Sequence, residues 1–357
     1  MPLKTTQKAH LVLRIVAKAC LLLASFSAFA QAPEFEEPKR PPDRELAAKI
    51  YASMDSQKLY AMIANADATR TYSEGRDDIF KVSAKVIEYK QDDWRARGAA
   101  IAIATTFRNE AGWDKMNIEV SEISNKIQLT GVVEKGIVVN DSIVLVGEFR
   151  QSLIETQAGL KEGLTATSVD LKVLARVAKA TSINVSGNGS RVNDDNTILG
   201  GKALMMWNPT PRTELALKYE GQTNSKPSPD YYSPKYAQSI IVAASAAVQI
   251  QEGGWRGLSV AGTLGAGWGV TKNATFNAAK DVISEVTSSK PVYVAELSLV
   301  SSKITVSKQL NPITLALNVG YSYNGARQGT GSSYSSTSGY TGGYQKAYVS
   351  LQVSIPL

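Results

Sequence analysis

A chain of 357 residues with 43% hydrophobic and 20% charged side chains is neither a disordered polymer nor a bundle of membrane helices. Beyond the N-terminus its longest uncharged apolar run lies near Ile240–Val248, far short of the roughly 18 to 20 residues that a helical span needs. The formal charge of +7 is weak evidence for a nucleic-acid partner, because part of it sits in a removable segment.

That segment is residues 1–30, which read as a secretory signal peptide. Lys4, Lys8, Arg14 and Lys18 form a basic start, Ala19–Ser27 an apolar core, and Ala28-Phe29-Ala30 a small-residue cleavage site. Cys20 lies inside the apolar core, which argues against a lipoprotein anchor. Cleavage lowers the formal charge to about +3 and removes the single His10 and the single Cys20. Disulfides, thiolate chemistry, histidine-assisted serine hydrolysis and the usual zinc sites are then excluded.

Gln31–Pro42 is rich in Pro and Glu and reads as an extended linker. Asp43 is placed to cap a helix over Arg44–Met62, with Leu46, Ile50, Met54 and Leu59 near helical spacing. Such a helix would lie over a barrel mouth or in the periplasm, plug a lumen, or be the stub of a helical scaffold. No repeat period identifies helical repeats.

From about Phe80 the pattern becomes period 2. Ile101, Ile103 and Phe107 alternate with Ala102, Ala104 and Thr106, and Val169, Leu171 and Val173 with Asp170 and Lys172. Leu215, Leu217 and Tyr219 alternate with Glu214, Lys218 and Glu220. Leu315, Leu317 and Val319 do so with Ala316, Asn318 and Gly320. The last stretch is the cleanest: Ala347, Val349, Leu351, Val353, Ile355 and Leu357 face one way, and Tyr348, Ser350, Gln352 and Ser354 the other. These strands exceed the usual five or six residues of soluble sheets and suit tilted bilayer crossings. The expected fold is all-β, an antiparallel transmembrane barrel of about 12–16 strands over 80–357, even in number, after a short N-terminal helical segment. A soluble sandwich is the alternative; strand length, the signal peptide and aromatics such as Trp207, Tyr219 and Tyr293 near strand ends disfavour it. The final strand needs a partner to close the barrel, expected near Phe80–Lys90 or Arg97–Phe107.

Asn208-Pro-Thr-Pro211 and Asn311-Pro312 read as short periplasmic turns, and Lys272–Pro291 and Asn324–Gly343 as extracellular loops. The register near Ser298–Ser302 is ambiguous and suggests a bulge or a turn. Glu148, Asp170, Glu214, Glu220 and Glu296 fall on proposed lumen faces, interleaved with Lys172, Arg176 and Lys218, as in a mixed-charge watery channel. No spacing pairs two of these carboxylates for hydrolysis, so neither a catalytic site nor a cofactor is expected. Asp194-Asp195, flanked by Asn193 and Asn196, fits a polar turn or a calcium loop, the turn being commoner.

One stretch goes further. Asp230-Tyr-Tyr-Ser-Pro-Lys-Tyr236, a strand over Ser239–Gln249, a Gly254-Trp255-Arg256 turn and a glycine-rich strand over Gly257–Gly269 follow one another. This order resembles the C-terminal barrel of bacterial exopolysaccharide export porins, above all that of the outer-membrane component of cellulose synthase. The likeness is clear over about 45 residues and departs in two ways. The helical-repeat scaffold is missing, and Leu357 stands where such barrels usually end in Phe. The resemblance implies a passive conduit in the outer membrane of a Gram-negative bacterium. Its partners would be outer-membrane lipid, the barrel assembly machinery, a polysaccharide chain and a periplasmic scaffold protein, and no nucleic acid. By parity the candidate lumen residues are Glu214, Lys218, Glu220, Asn318, Tyr348, Ser350 and Gln352. A non-conducting barrel displaying loops for adhesion or biofilm contact is the alternative; an enzyme is a distant third.

Overall fold

In a computed structural model of the chain, residues 44–55, 58–72, 78–250, 258–277, 279–304, 313–328 and 343–356 are described. The signal peptide, the Gln31–Pro42 linker, the Gly254–Arg256 and Asn311-Pro312 turns, most of the Asn324–Gly343 loop and Leu357 lie outside them.

The first half of the wall is β1 (Arg44–Asp55), β2 (Tyr60–Tyr72), β3 (Asp78–Gln91), β4 (Trp94–Asn109), β5 (Gly112–Ile123), β6 (Lys126–Asn140), β7 (Ile143–Leu153) and β8 (Thr165–Ala178). The second is β9 (Thr181–Val192), β10 (Thr197–Thr210), β11 (Thr213–Asn224), β12 (Tyr236–Gln249), β13 (Leu258–Phe276), β14 (Val282–Ile304), β15 (Ile313–Gln328) and β16 (Gly343–Pro356). One short helix, α1 (Gln157–Glu162), interrupts the β7–β8 connection. Each strand pairs antiparallel with its sequence neighbours, and β1 pairs with β16, so the sheet closes into a 16-strand barrel.

Side-chain parity then sorts the residues. Ile50, Val86, Ile101, Ile127, Leu171 and Leu199 are more than half exposed and lie on the outer face, with Leu351 and Val349 on β16. An apolar belt of this extent is unfavourable in water and fits the hydrocarbon of a bilayer. Two-residue turns at 110–111, 141–142, 179–180 and 211–212 share one rim with the start of β1 and the end of β16. The other rim carries two-residue turns at 92–93 and 124–125, but also the longest described connections, 154–164 and 225–235, and the tip of the long β13–β14 hairpin. Short turns inside and long loops outside are the bacterial outer-membrane arrangement, and this chain is a protein of the Gram-negative outer membrane. On this pattern we assign the first rim to the periplasm and the second to the cell exterior.

Three expectations are corrected. Arg44–Met62 is not helical and the barrel does not begin at Phe80, because β1 and β2 occupy that stretch. The spacing of Leu46, Ile50 and Met54 by four residues also keeps one face of a strand, and all three are exposed outward. The closing partner of β16 is therefore β1, in register from Glu45↔Pro356 to Asp55↔Lys346, and neither Phe80–Lys90 nor Arg97–Phe107. Lys272–Pro291 is not a loop but the arms of a hairpin, since β13 and β14 run 19 and 23 residues, well past the roughly 9–11 that cross a bilayer. Near Ser298–Ser302 the β14–β15 register shifts between Ser301 and Ile304, where an irregularity was expected.

The sidedness of β16 is testable by neighbouring substitutions. Leu351→Lys puts a charge in lipid and should cost about 2–4 kcal/mol, whereas Gln352→Lys, one residue on, should cost under about 1 kcal/mol. Urea unfolding midpoints in lipid vesicles read the difference; equal losses would refute the assignment of faces.

Candidate functional site in the barrel lumen

The face opposite the apolar belt is polar and laced with ion pairs. Lys81 Nζ lies 2.6 Å from Asp67, and Lys85 pairs with Glu119 across β3, β4 and β5. Glu148, its side chain only 7% exposed, is held by Arg150 at 2.7 Å and by Lys172 at 2.9 Å. Two cations on one buried carboxylate satisfy it without a third partner. Beside it, Trp113 Nε1 donates to Glu134 at 2.8 Å.

The sequence-derived candidates separate into two walls. On β11, Glu220 accepts from Lys218 at 2.8 Å and faces Lys202 of β10 at 3.5 Å, while Glu214 stands opposite Ser245 of β12. On β15 and β16, Asn318 Nδ2 reaches Ser350 Oγ at 3.4 Å, and Gln352 Nε2 donates to Ser354 Oγ at 3.2 Å. Tyr348 stacks on Tyr51 with ring centroids 6.0 Å apart. Its ring lies over Gly320, where any Cβ would enter the ring. The structure thus joins Lys218 to Glu220 and Asn318 to Ser350, and does not bring the two groups together.

Sequence reasoning missed Tyr51, hidden in the stretch read as helix, and Lys202. It also missed the outer mouth. There the β7–β8 connection folds into the lumen. Thr156 caps α1, accepting from the Gly159 N–H at 3.0 Å, and Gly163 ends it with a left-handed φ of 75°. Leu160, 3% exposed, packs into the inward side chains of Ala61, Ile87, Tyr89, Ala96, Ala100 and Ile123. Small residues on β4 leave the hollow that this leucine fills. Lys161 Nζ lies 5.7 Å from the centre of the Trp94 ring.

Two further segments close over α1. In the 225–235 loop, the buried Tyr231 hydroxyl accepts from Asn196 Nδ2 at 2.9 Å and donates to the Asp194 carboxylate at 2.9 Å. Burial first, and then the hydrogen bond to Asp194 and its charge, push this phenol above its ordinary value of 10.0, against the lowering effect of the Asn196 hydrogen bond. Its folded-state value is raised, so its contribution is complete below the ordinary value and is lost as pH rises through the folded one. Asp195 pairs with Arg191 at 2.7 Å. The Asn193–Asn196 stretch is thus a turn that locks loops to one another. Thr156 Oγ1 donates to the Asp230 carbonyl at 2.6 Å. From the β13–β14 tip, Lys280 reaches Asp230 at 2.9 Å and Glu162 at 3.3 Å. The hydrogen bond to Asp230 raises the Lys280 pKa and keeps the cation in place.

Beneath the 225–235 loop, against the β9–β13 wall, lies a polar recess of about 320 Å³. Asn188, Lys202, Glu220, Gln222 and Thr271 line it, with Tyr232 from the loop above.

The barrel fold matches that of a solved outer-membrane protein. A bacterial polysaccharide outer membrane secretin superposes with a TM-score of 0.63 at 12% identity, covering 88% of this chain and 98% of that one. OccK11 (OpdR) of Pseudomonas aeruginosa gives a TM-score of 0.42 at 11% identity over 88% of this chain and 96% of its own. The outer membrane protein opdK of the same organism gives 0.44 at 9% identity over 87% and 98%. No protein-family model and no curated protein sequence matches the chain.

The anchors at the mouth differ in strength. Leu160→Ala removes a buried side chain worth about 2–4 kcal/mol, whereas Lys280→Ala loses exposed ion pairs worth under about 1 kcal/mol each. Limited proteolysis of the folded barrel should therefore cut the 154–164 connection much faster in Leu160→Ala than in Lys280→Ala. The reverse order would refute the inward packing of α1.

Proposed function

We propose that this protein is a passive outer-membrane conduit for a secreted exopolysaccharide. The observation that carries the reading is the lumen wall. It offers amides, hydroxyls, paired charges and an inward tyrosine stack, all at intermediate strength. A chain of sugar rings sliding through such a wall meets many weak contacts in place of one tight one, which is what translocation without an energy source requires. Asp67, Glu119, Glu148 and Glu220, each paired with lysine or arginine, leave little field to trap a passing ion.

The fold shared with a bacterial polysaccharide secretin supports the reading, as does the likeness of Asp230–Tyr236 and the following strands to exopolysaccharide porins. In this reading Tyr348, Ser350, Gln352 and Asn318 form one sugar-contacting strip, and Glu214, Lys218 and Glu220 another. A separate periplasmic scaffold protein would deliver the polymer to the turn-bearing rim. The assembly machinery would act on the apolar outer face of β16.

A second reading has an observation of its own. The β13–β14 hairpin extends beyond the membrane and exposes Val282, Ile283 and Val286. A non-conducting barrel that displays this hairpin for adhesion or biofilm contact would use it.

Deleting the gene should abolish the secreted polymer while its synthesis at the inner membrane continues, as read by sugar analysis of the medium and of the periplasm. Unchanged secretion would sink the conduit reading. Shortening the 272–291 hairpin should spare secretion; loss of adhesion alone would favour the second reading.

A further inference from the structure

The recess beneath the 225–235 loop exists because its wall is built from small residues. In register, Asn188, Gly200, Gln222, Ala237 and Thr271 form one row across β9 to β13. Ser186, Lys202, Glu220, Ser239 and Gly269 form the next, one step deeper. Gly200 and Ala237 in the first row and Ser239 in the second are the small residues that line the hollow. Asn188 and Gln222 offer amides, Ser239 a hydroxyl, and Tyr232 an aromatic ring overhead. At about 320 Å³ the hollow is near the lower limit of ligand sites and suits one unit of a chain rather than a long segment.

Its charge is unbalanced. Glu220 Oε1 is shared by Lys218 at 2.8 Å and Lys202 at 3.5 Å. One carboxylate serves two ammonium groups, the nearer of which stands outside the recess lining. Lys202, the cation that lines the recess, holds the longer and weaker contact, and its side chain is 59% exposed to the lumen. Amides and hydroxyls answer ring hydroxyls; the partly free ammonium answers a negative group.

We propose that this recess binds a sugar ring that carries a carboxylate, with Lys202 taking the carboxylate, Asn188 and Gln222 the ring hydroxyls, and Tyr232 covering one ring face. The inference rests on the conduit reading and adds to it a preference for acidic over neutral units. Because Lys202 is half exposed and already leans on Glu220, the preference is modest. About three- to tenfold is expected from one partly screened charge.

Single-channel recordings of the full-length barrel in planar bilayers test this with trigalacturonate against maltotriose, added at the extracellular side. Trigalacturonate should block the current at about three- to tenfold lower concentration, and the advantage should shrink as salt is raised. Lys202→Gln should bring the two blockers level, and Lys202→Glu should favour the neutral one. Gly200→Leu fills the hollow while keeping every charge, and the nearest atoms to a Cβ there belong to the movable tip of Asn188, the closest 2.5 Å away. It should weaken block by trigalacturonate as well. The inference is overturned if the native barrel is blocked equally by both sugars, or if the preference survives both Lys202→Gln and Gly200→Leu. If neither trisaccharide blocks an otherwise conducting barrel, the conduit reading itself fails.

Discussion

The constraint on which everything else depends is the hydrogen bonding of the backbone in lipid. An unpaired N–H or C=O inside the hydrocarbon costs several kcal/mol, so a sheet in a membrane has to close. Closure here is the pairing of β1 with β16, an unbroken register from Glu45 to Asp55 against Pro356 to Lys346. Once that seam is made, every strand has two neighbours, and each residue is committed to lipid or lumen by its parity. The lumen chemistry is a consequence of the seam. Tyr51 meets Tyr348 only because β1 and β16 are adjacent.

The same constraint explains what was legible in the sequence. Where both faces have different solvents, alternation is enforced, and β4, β8, β11, β15 and β16 could be read directly. Their lumen residues, Glu214, Lys218, Glu220, Asn318, Tyr348, Ser350 and Gln352, follow from counting by two. β1 was misread because alanines at positions 47, 48 and 52 blur its inner and outer faces, while Leu46, Ile50 and Met54 mimic a helical stripe. The β13–β14 arms were misread for the opposite reason. Above the membrane both faces meet water, so nothing selects apolar residues at alternate positions, and only backbone pairing such as Asn273↔Val286 makes them strands.

Contacts between strands were beyond the sequence altogether. That Lys172 reaches Glu148, or that Lys202 shares Glu220 with Lys218, depends on the register between neighbouring strands. Parity says which way a side chain points; only the register says whom it meets. The loops follow a third logic. The Asp230–Tyr236 stretch stood out by its likeness to export porins, and it turns out to hold the hub of the mouth, where Tyr231 ties Asp194 to Asn196.

The mouth is assembled from anchors of unequal strength, and this inequality gives it a direction of opening. α1 is held by a leucine sunk into an apolar hollow, and the 225–235 loop by a buried phenol with two partners. The β13–β14 tip is held to them through Lys280, by contacts with Asp230 and Glu162 that are partly exposed to solvent. Exposed ion pairs are weak and weaken further in salt, whereas buried apolar contacts do not. Any widening of the outer mouth therefore begins with the hairpin lifting from the loops, with α1 remaining on the wall.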